Sequence, residues 1–154
     1  MEERSDELRR VMQRLFRRFG ALAAGTTPCG KPLSMAHAHA LMVLMAQGEL
    51  SQQELLLELG IDKSNVARLC AKMVEVGHAK QRVSDNDGRS RLVSLTARGA
   101  RLAAEVDAAS RARFGALLGA LPAARRAHVI EALQLVVDAL DVLPAHSLDE
   151  RTSE

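Results

Sequence analysis

The sequence predicts a mainly α-helical protein with a single two-stranded β-hairpin. Apolar residues recur every three or four positions over most of the chain, which is the period of a helix with one buried face. Two short helical segments meet at Gly60, which can supply a tight turn. After them, the turn-forming run Asp85-Asn-Asp-Gly-Arg separates two stretches of strand-like composition. Together these observations favour a winged helix-turn-helix enclosed by longer terminal helices.

Length and composition favour a single domain over residues 1–154. Arginines interrupt each apolar run near the start, so a signal peptide is not expected. The longest apolar stretch, around Ala38–Ala46, is too short to cross a bilayer. The two cysteines, Cys29 and Cys70, are too few for a disulfide framework. We therefore expect a cytoplasmic protein that makes no contact with a membrane.

The first two helices are predicted from apolar spacing and capping residues. One helix is expected over about residues 5–24, followed by a loop that contains glycine and proline. Ser34 can cap a second helix that runs to Gln47. Three apolar side chains of this second helix are expected in the core: Leu41, Leu44 and Met45.

The segment Ser51–Val76 is expected to form the helix-turn-helix. Ser51 and Glu54 have the spacing of a capping box, in which a hydroxyl and a carboxylate each bind a free backbone amide. Gly60 supplies the turn, and Asp62 can cap the second helix. Six apolar residues around the turn are expected to hold the two helices together: Leu55, Leu56, Leu59, Ile61, Val66 and Leu69.

The hairpin and two further helices complete the predicted elements. The strands are expected at residues 78–84 and 91–95, and a long helix follows them to about Ala120. A last helix covers Ala124–Leu143. The polar tail after Pro144 is expected to be frayed.

Positive charge is concentrated in residues 61–98, which carry eight cations and four anions. One outer face of the second helix of the helix-turn-helix collects short polar and cationic side chains: Lys63, Ser64, Asn65, Arg68 and Lys72. Such a face suits the DNA major groove, where Arg68 can pair with guanine and Asn65 with adenine. Lys63 and Lys72 are expected on phosphates. Double-stranded DNA is therefore the expected partner.

The loop of the hairpin offers a second contact with duplex DNA. Arg89 lies just beyond its tip, and a guanidinium group can enter a narrow minor groove. Asp87 is expected to hold Arg89 by a charge-assisted hydrogen bond. Arg82 and Arg91, on the strands, can reach backbone phosphates. Two residues at the start of the helix-turn-helix complete the predicted DNA-binding set: Ser51 and Gln52.

These motifs resemble the MarR family of winged helix-turn-helix transcriptional regulators. The matching segments are SQQELLLELGIDKSNVARLCAKM and the wing VEVGHAKQRVSDNDGRSRLVSLT, followed by Gly99. The wing patterns Asp87-Gly-Arg89 and Val93-Ser-Leu-Thr96 are the most specific parts, while Leu56 departs from the alanine of many helix-turn-helix units. The resemblance covers about residues 5–143. It implies a homodimer with intertwined terminal helices, a palindromic operator and, often, release by a small ligand.

The terminal segments, residues 5–24 and 99–143, carry more apolar surface than a small DNA-binding lobe at 34–98 requires. Seven apolar residues near a heptad spacing are expected to form a dimer interface: Leu8, Val11, Leu15, Leu133, Val136, Val137 and Leu140. In the alternative interpretation, the same stripes pack on each other within one chain.

No arrangement of residues in the sequence indicates catalysis. A phosphate-binding glycine loop, a nucleophile elbow and a zinc-protease histidine pair are all missing, so we expect neither an enzyme nor a cofactor. His37 and His39 are two positions apart and point away from each other on a helix, which disfavours a metal site with Cys29. Cys29 is also the more reactive thiol candidate, because Cys70 occupies a packing position.

A small-molecule effector is expected to bind between the terminal helices and the DNA-binding lobe. Four side chains are candidates to line that site, or else are ordinary core and surface residues: Phe16, His37, His39 and Met42. The sequence thus predicts a homodimeric DNA-binding repressor. Two alternatives are a regulator of the same fold that is switched by metal or by thiol oxidation, and a protein-interaction module that does not bind DNA.

Overall fold

Six α-helices and a three-stranded antiparallel sheet build residues 1–144, the part of the chain that the computed structural model describes. The helices are α1 (Glu2–Phe19), α2 (Met35–Gln47), α3 (Gln52–Leu59), α4 (Lys63–Glu75), α5 (Ala97–Ala120) and α6 (Arg126–Val142). The strands are β1 (Leu50–Ser51), β2 (Ala79–Val83) and β3 (Arg91–Leu95). The predicted mainly α-helical winged helix fold is confirmed. The tail predicted after Pro144 lies outside the described residues.

The chain divides into two compact units, Met1–Phe114 and Gly115–Glu154. The first unit holds a core to which α2, α3, α4, α5 and β3 contribute. Its largest fully buried side chains are Leu41, Leu55, Met73, Val66, Val93, Val106 and Cys70. Within residues 1–144, none of the helices combines the length and apolar content needed to cross a membrane.

The helix-turn-helix is held together by the six apolar residues that the sequence indicates. Leu55 and Val66 are fully buried. The other four are partly buried and pack against the same core: Leu56, Leu59, Ile61 and Leu69. On α2, Leu41 and Leu44 are buried as expected, but the expectation for Met45 is wrong, because its side chain is 41% exposed.

The first helix differs from its expected bounds at both ends. It begins at Glu2 and ends at Phe19, because Gly20 adopts a left-handed conformation with φ of 90° and its N–H donates to the Phe16 carbonyl. Leu22 therefore lies beyond the helix. In the described part of the chain, α1 has no buried residue, and Leu8, Val11 and Leu15 are exposed on it.

The sheet contains a strand that the sequence pattern did not predict. Its order is β1-β3-β2, so β3 is central and pairs antiparallel with both neighbours. Leu50 and Gln81 both oppose Val93, whose side chain is fully buried. β1 has only two residues, too few to show a strand period.

The beginning of α5 is packed tightly against the connection between α4 and β2. The Thr96 hydroxyl donates to the Gly77 carbonyl at 2.7 Å, and the Thr96 amide donates to the His78 carbonyl at 3.1 Å. The Gly99 amide donates in turn to the Thr96 hydroxyl oxygen at 3.0 Å. A Cβ at Gly99 would lie 1.8 Å from the His78 carbonyl oxygen, so only glycine fits this approach.

A buried histidine pair lies beside this junction. His37 Nε2 and His78 Nδ1 are 3.0 Å apart, and both side chains are more than nine-tenths buried. Burial lowers the pKa of both rings below the usual value of 6.5. The nearby charge of Lys72 lowers the pKa of His37 further, and Arg98 does the same for His78. The pair is therefore neutral at pH 7, with one ring nitrogen donating to the other.

The second unit is described over residues 115–144. Arg126, at the start of α6, donates through its guanidinium to the carbonyls of Gly119 and Leu121, each at 3.3 Å. These bonds satisfy carbonyl groups at the end of the preceding helix. In the described residues α6 has no buried side chain, and its exposed apolar residues include Ile130, Leu133, Val137 and Leu140.

Gly99→Ala is expected to lower the free energy of unfolding by about 2–4 kcal/mol, because the backbone must move to admit a Cβ. Urea denaturation followed by circular dichroism measures the change. Gly115→Ala is the matched control, since it is also helical and an added Cβ there meets no atom within 4 Å. The control should gain about 0.5–1 kcal/mol. Equal effects of the two substitutions would contradict the packing role of Gly99.

The stability of the fold is expected to fall as the pH drops below about 6.5. The unfolded chain takes up protons at His37 and His78 in that range, while the folded chain keeps both rings neutral to lower pH. More protons bound to the unfolded state means less stability at lower pH. Urea titrations between about pH 7.5 and pH 5.5 measure the slope of the free energy of unfolding against pH. His78→Asn should reduce it and His128→Asn, at an exposed position, should not; an unchanged slope in His78→Asn would contradict the assignment.

Candidate nucleic-acid interface

Local hydrogen bonds begin both helices of the helix-turn-helix where the sequence predicts them. The Ser51 hydroxyl accepts from the Glu54 amide at 3.1 Å, and the Glu54 carboxylate accepts from the Ser51 amide at 2.8 Å. This reciprocal capping box is confirmed. Gly60 turns the chain with φ of 63°, and the Asp62 carboxylate caps α4 by accepting from the Asn65 amide at 2.7 Å.

The two faces of α4 have opposite character. Val66, Cys70 and Met73 are buried against the core. The outer face is exposed and carries all five residues predicted to meet DNA: Lys63, Ser64, Asn65, Arg68 and Lys72. Because the side chains on that face are exposed, the N-terminal half of α4 can contact a partner.

Three side chains on the exposed face of α4 form a hydrogen-bonded row. Asn65 Nδ2 donates to Asp62 Oδ2 at 2.6 Å, and Arg68 Nη2 donates to Asn65 Oδ1 at 2.5 Å. Lys72, farther along, pairs with Glu75 at 3.0 Å. All of these contacts are exposed, so exchanging them for contacts with a polar ligand costs little.

The loop of the wing is shaped by Asp87, but through a different contact from the expected one. Asp87 Oδ1 accepts from the backbone amide of Arg89 at 3.0 Å, whereas a bond to the Arg89 guanidinium was expected. The Asp87 carbonyl also accepts from the Ser90 amide, and the Ser84 amide donates to the Ser90 carbonyl, both at 2.9 Å. Asp87 therefore fixes the turn of the backbone and leaves the Arg89 guanidinium exposed.

A groove separates the helix-turn-helix from the wing. It has a volume of about 330 Å³ and brings together five residues of the predicted DNA-binding set: Gln52, Lys63, Asp87, Arg89 and Arg91. Leu56 and Val66 line its floor on the helix-turn-helix side. Of the other predicted residues, Ser51 uses its hydroxyl oxygen in the capping box, and the rest of the α4 set lies outside the groove lining.

Arg82 is engaged by carboxylates in this structure. Its Nη2 and Nε atoms contact the two carboxylate oxygens of Glu49 at 2.6 and 3.0 Å, and its Nη1 lies 3.4 Å from Asp85. The hydrogen bond from Arg82 lowers the pKa of Glu49. The sequence pattern does not indicate Glu49, because its partner lies 33 positions away and no local pattern connects the two residues.

A second concave site lies between the end of α1, α2 and α5, within the unit Met1–Phe114. Its volume is about 200 Å³, and two of the four side chains predicted for an effector, His39 and Met42, line it. The other two do not line it, because Phe16 is exposed and His37 binds His78. The full lining is Phe19, Thr27, Pro28, Cys29, Met35, Ala38, His39, Met42, Val106, Ser110, Arg113 and Phe114.

The two cysteines have different surroundings. Cys70 is fully buried, and burial raises the pKa of its thiol to about 11. Cys29 is partly exposed at the cavity, where its sulfur lies 3.0 Å from the Thr27 hydroxyl. Among residues 1–144, the structure gathers no group of three or more histidine, cysteine or acidic side chains that could hold a metal ion.

Comparison with known proteins identifies similar folds. Residues 31–90 match the sequence model of the MarR family. No curated protein matches the chain. The PcaV transcriptional regulator from Streptomyces coelicolor, solved with its natural ligand, is 21% identical with a TM-score of 0.69, over 86% of this chain and 91% of PcaV.

Two further solved structures share the fold. BpsR from Bordetella bronchiseptica, whose DNA binding is regulated by 6-hydroxynicotinic acid, is 20% identical with a TM-score of 0.71, over 86% of this chain and 99% of BpsR. A MarR transcriptional regulator from Methanosarcina mazei is 20% identical with a TM-score of 0.67, over 93% of this chain and all of that protein (100%). At these identities the likeness establishes the fold.

Proposed function

We propose that this chain is a sequence-specific DNA-binding transcriptional regulator of the MarR family, whose sequence model matches residues 31–90, and that it acts as a homodimer. The observation that carries the proposal is the pairing of an exposed polar face on α4 with an exposed arginine wing across one groove. A helix and a loop at this spacing suit a major groove and the minor groove next to it.

The proposed contacts follow from the chemistry of each exposed side chain. Arg68 pairs with guanine and Asn65 with adenine, once their mutual bond is exchanged for base edges. Arg89 enters the minor groove. The remaining contacts are to phosphates. They come from side chains near the helix starts, from Lys72 in the last turn of α4 and from the wing: Ser51, Gln52, Lys63, Ser64, Lys72 and Arg91.

The homodimer is supported by apolar surface that the described part of each terminal helix leaves exposed. Leu8, Val11 and Leu15 lie on α1, and Leu133, Val137 and Leu140 lie on α6. A second copy of the chain is the partner that we propose to cover these apolar residues, and the two-fold symmetry of a dimer matches a palindromic operator. Repression follows where that operator overlaps a promoter.

Variants of the proposed contact residues are expected to weaken DNA binding in different ways. Arg68→Ala should cost about 1–3 kcal/mol and relax the base preference at one position. Lys72→Ala should weaken all sequences alike and reduce the salt slope by about 1. Arg89→Ala should lower affinity, because the wing loses its groove contact. Fluorescence anisotropy at several salt concentrations measures the affinity of each variant and its salt dependence. The duplex is one that the wild-type protein selects from random DNA.

The control for these measurements is Arg111→Ala, which removes an exposed arginine from α5 and should leave binding unchanged. Sedimentation of the complex should give two chains per duplex. Unchanged affinity in Arg89→Ala would contradict the role of the wing. If the wild-type protein binds no duplex at any salt concentration, the protein-interaction module becomes the better interpretation.

The cavity beside α1 supports regulation by a small ligand. Its lining is apolar apart from a few groups, among them His39, Ser110 and Arg113, and the rings of Phe19 and Phe114 lie 5.4 Å apart at one side. A cavity of about 150 Å³ is enough to hold a benzene ring. We infer that the ligand is a small aromatic carboxylate with Arg113 as its counter-charge, as the regulation of BpsR by 6-hydroxynicotinic acid suggests.

Aromatic carboxylates are expected to raise the melting temperature of the protein and to lower its affinity for the selected duplex. A thermal-shift panel of benzoates, hydroxybenzoates and pyridine carboxylates, with uncharged benzyl alcohol as the control ligand, measures the first effect. Arg113→Ala should abolish the shift for the acids. An equal shift from benzyl alcohol would contradict the role of Arg113.

A further inference from the structure

An ion pair joins the outer strand of the wing to the start of the helix-turn-helix. Arg82 lies on β2, and Glu49 immediately precedes β1 and the capping box of α3. Both oxygens of the Glu49 carboxylate are engaged by the Arg82 guanidinium, at 2.6 and 3.0 Å. Such a two-point contact fixes direction as well as distance, which a single lysine contact does not.

This ion pair spans the central strand of the sheet. Because the strand order is β1-β3-β2, a bond between Glu49 and Arg82 passes over β3, where Leu92 opposes Arg82. The neighbouring residue Gln81 points to the other face of the sheet. There its Oε1 accepts from Gln52 Nε2 at 3.0 Å. The wing is therefore linked to the helix-turn-helix over both faces of β3.

Backbone pairing alone holds the wing weakly. Only two residues of β1 pair with β3, and β2 is an edge strand of the described sheet. Two-stranded ribbons twist more strongly and more variably than larger sheets. The angle between the wing loop and α4 therefore depends on side chains that connect β2 to the rest of the lobe.

We propose that Glu49 is a positioning residue for DNA binding, which holds the wing at its angle to α3 and α4 by anchoring Arg82. Arg82 then acts through Glu49 and not as a phosphate contact, unlike the sequence-based expectation. The inference rests on the proposed function, because the position of the wing matters only if Arg89 enters DNA.

The sign of the effect distinguishes this role from simple electrostatics. If Glu49 were only an unfavourable negative charge near DNA, its removal would strengthen binding and free Arg82 to contact a phosphate. If it positions the wing, its removal weakens binding, because Arg89 no longer meets the groove at the right angle. The affinity lost on removing Glu49 should not exceed the affinity lost in Arg89→Ala, which removes the wing contact itself.

The experiment compares Glu49→Ala, Arg82→Ala, the double variant and the charge-swapped Glu49→Arg/Arg82→Glu. Each single substitution should weaken binding of the selected duplex about fivefold. The double variant should be no weaker than either single one, because both remove the same contact. The swapped pair should return to within about twofold of wild type. Arg82→Ala should leave the salt slope unchanged.

The matched control is the exposed ion pair between Asp107 and Arg111 on α5, at 2.8 Å. Alanine at either position should leave affinity unchanged. Tighter or equal binding by Glu49→Ala would overturn the proposal. So would a salt slope reduced by about 0.9 in Arg82→Ala, which marks a lost phosphate contact.

A measurement without DNA separates failure of this inference from failure of the proposed function. Amide hydrogen exchange in the free protein should be faster in the wing loop, residues 84–90, of Glu49→Ala and Arg82→Ala than in wild type. Unchanged exchange there would overturn the positioning role. If the wild-type protein binds no duplex, the proposed function fails, and the exchange rates alone decide whether Glu49 holds the wing.

Discussion

The close packing of α5 on the carbonyl of His78 is the constraint on which the lobe that carries the proposed DNA surface depends. Gly99 permits the approach, and Thr96 completes it by bonding to Gly77 and His78. Gly77 and His78 lie in the connection between α4 and β2. The end of α4 and the start of β2 are therefore held at one place. His37 connects α2 to the same place through its hydrogen bond with His78.

The polar surface on this frame owes its shape to hydrogen bonds between neighbouring residues. Asp62 begins α4 and also orders Asn65, while Asp87 fixes the backbone at Arg89. The two anions thus shape the proposed DNA surface although their charge opposes DNA. The two exposed wing arginines differ in their partners. Arg82 is paired with Glu49 and Asp85, whereas Arg89 makes no ion pair within residues 1–144.

Local rules were enough to predict most of the elements. The capping box at Ser51, the turn at Gly60 and the cap at Asp62 each involve residues no more than three positions apart, so their geometry follows from sequence spacing. The same rules missed β1, since two residues show no period. They also assigned Asp87 to the guanidinium of Arg89, because residue types do not reveal which donor a carboxylate meets.

The sequence by itself determined the helix-turn-helix, the wing and the face of α4 that carries the polar residues, because these depend on periodicity and on neighbours along the chain. Only the tertiary structure decided which distant side chains meet. His37 and His78 are 41 positions apart, and Glu49 and Arg82 are 33 positions apart. Phe19 and Phe114, whose rings lie 5.4 Å apart beside the cavity, are likewise far apart along the chain. Such contacts are set by how the elements pack, and no spacing along the chain encodes them.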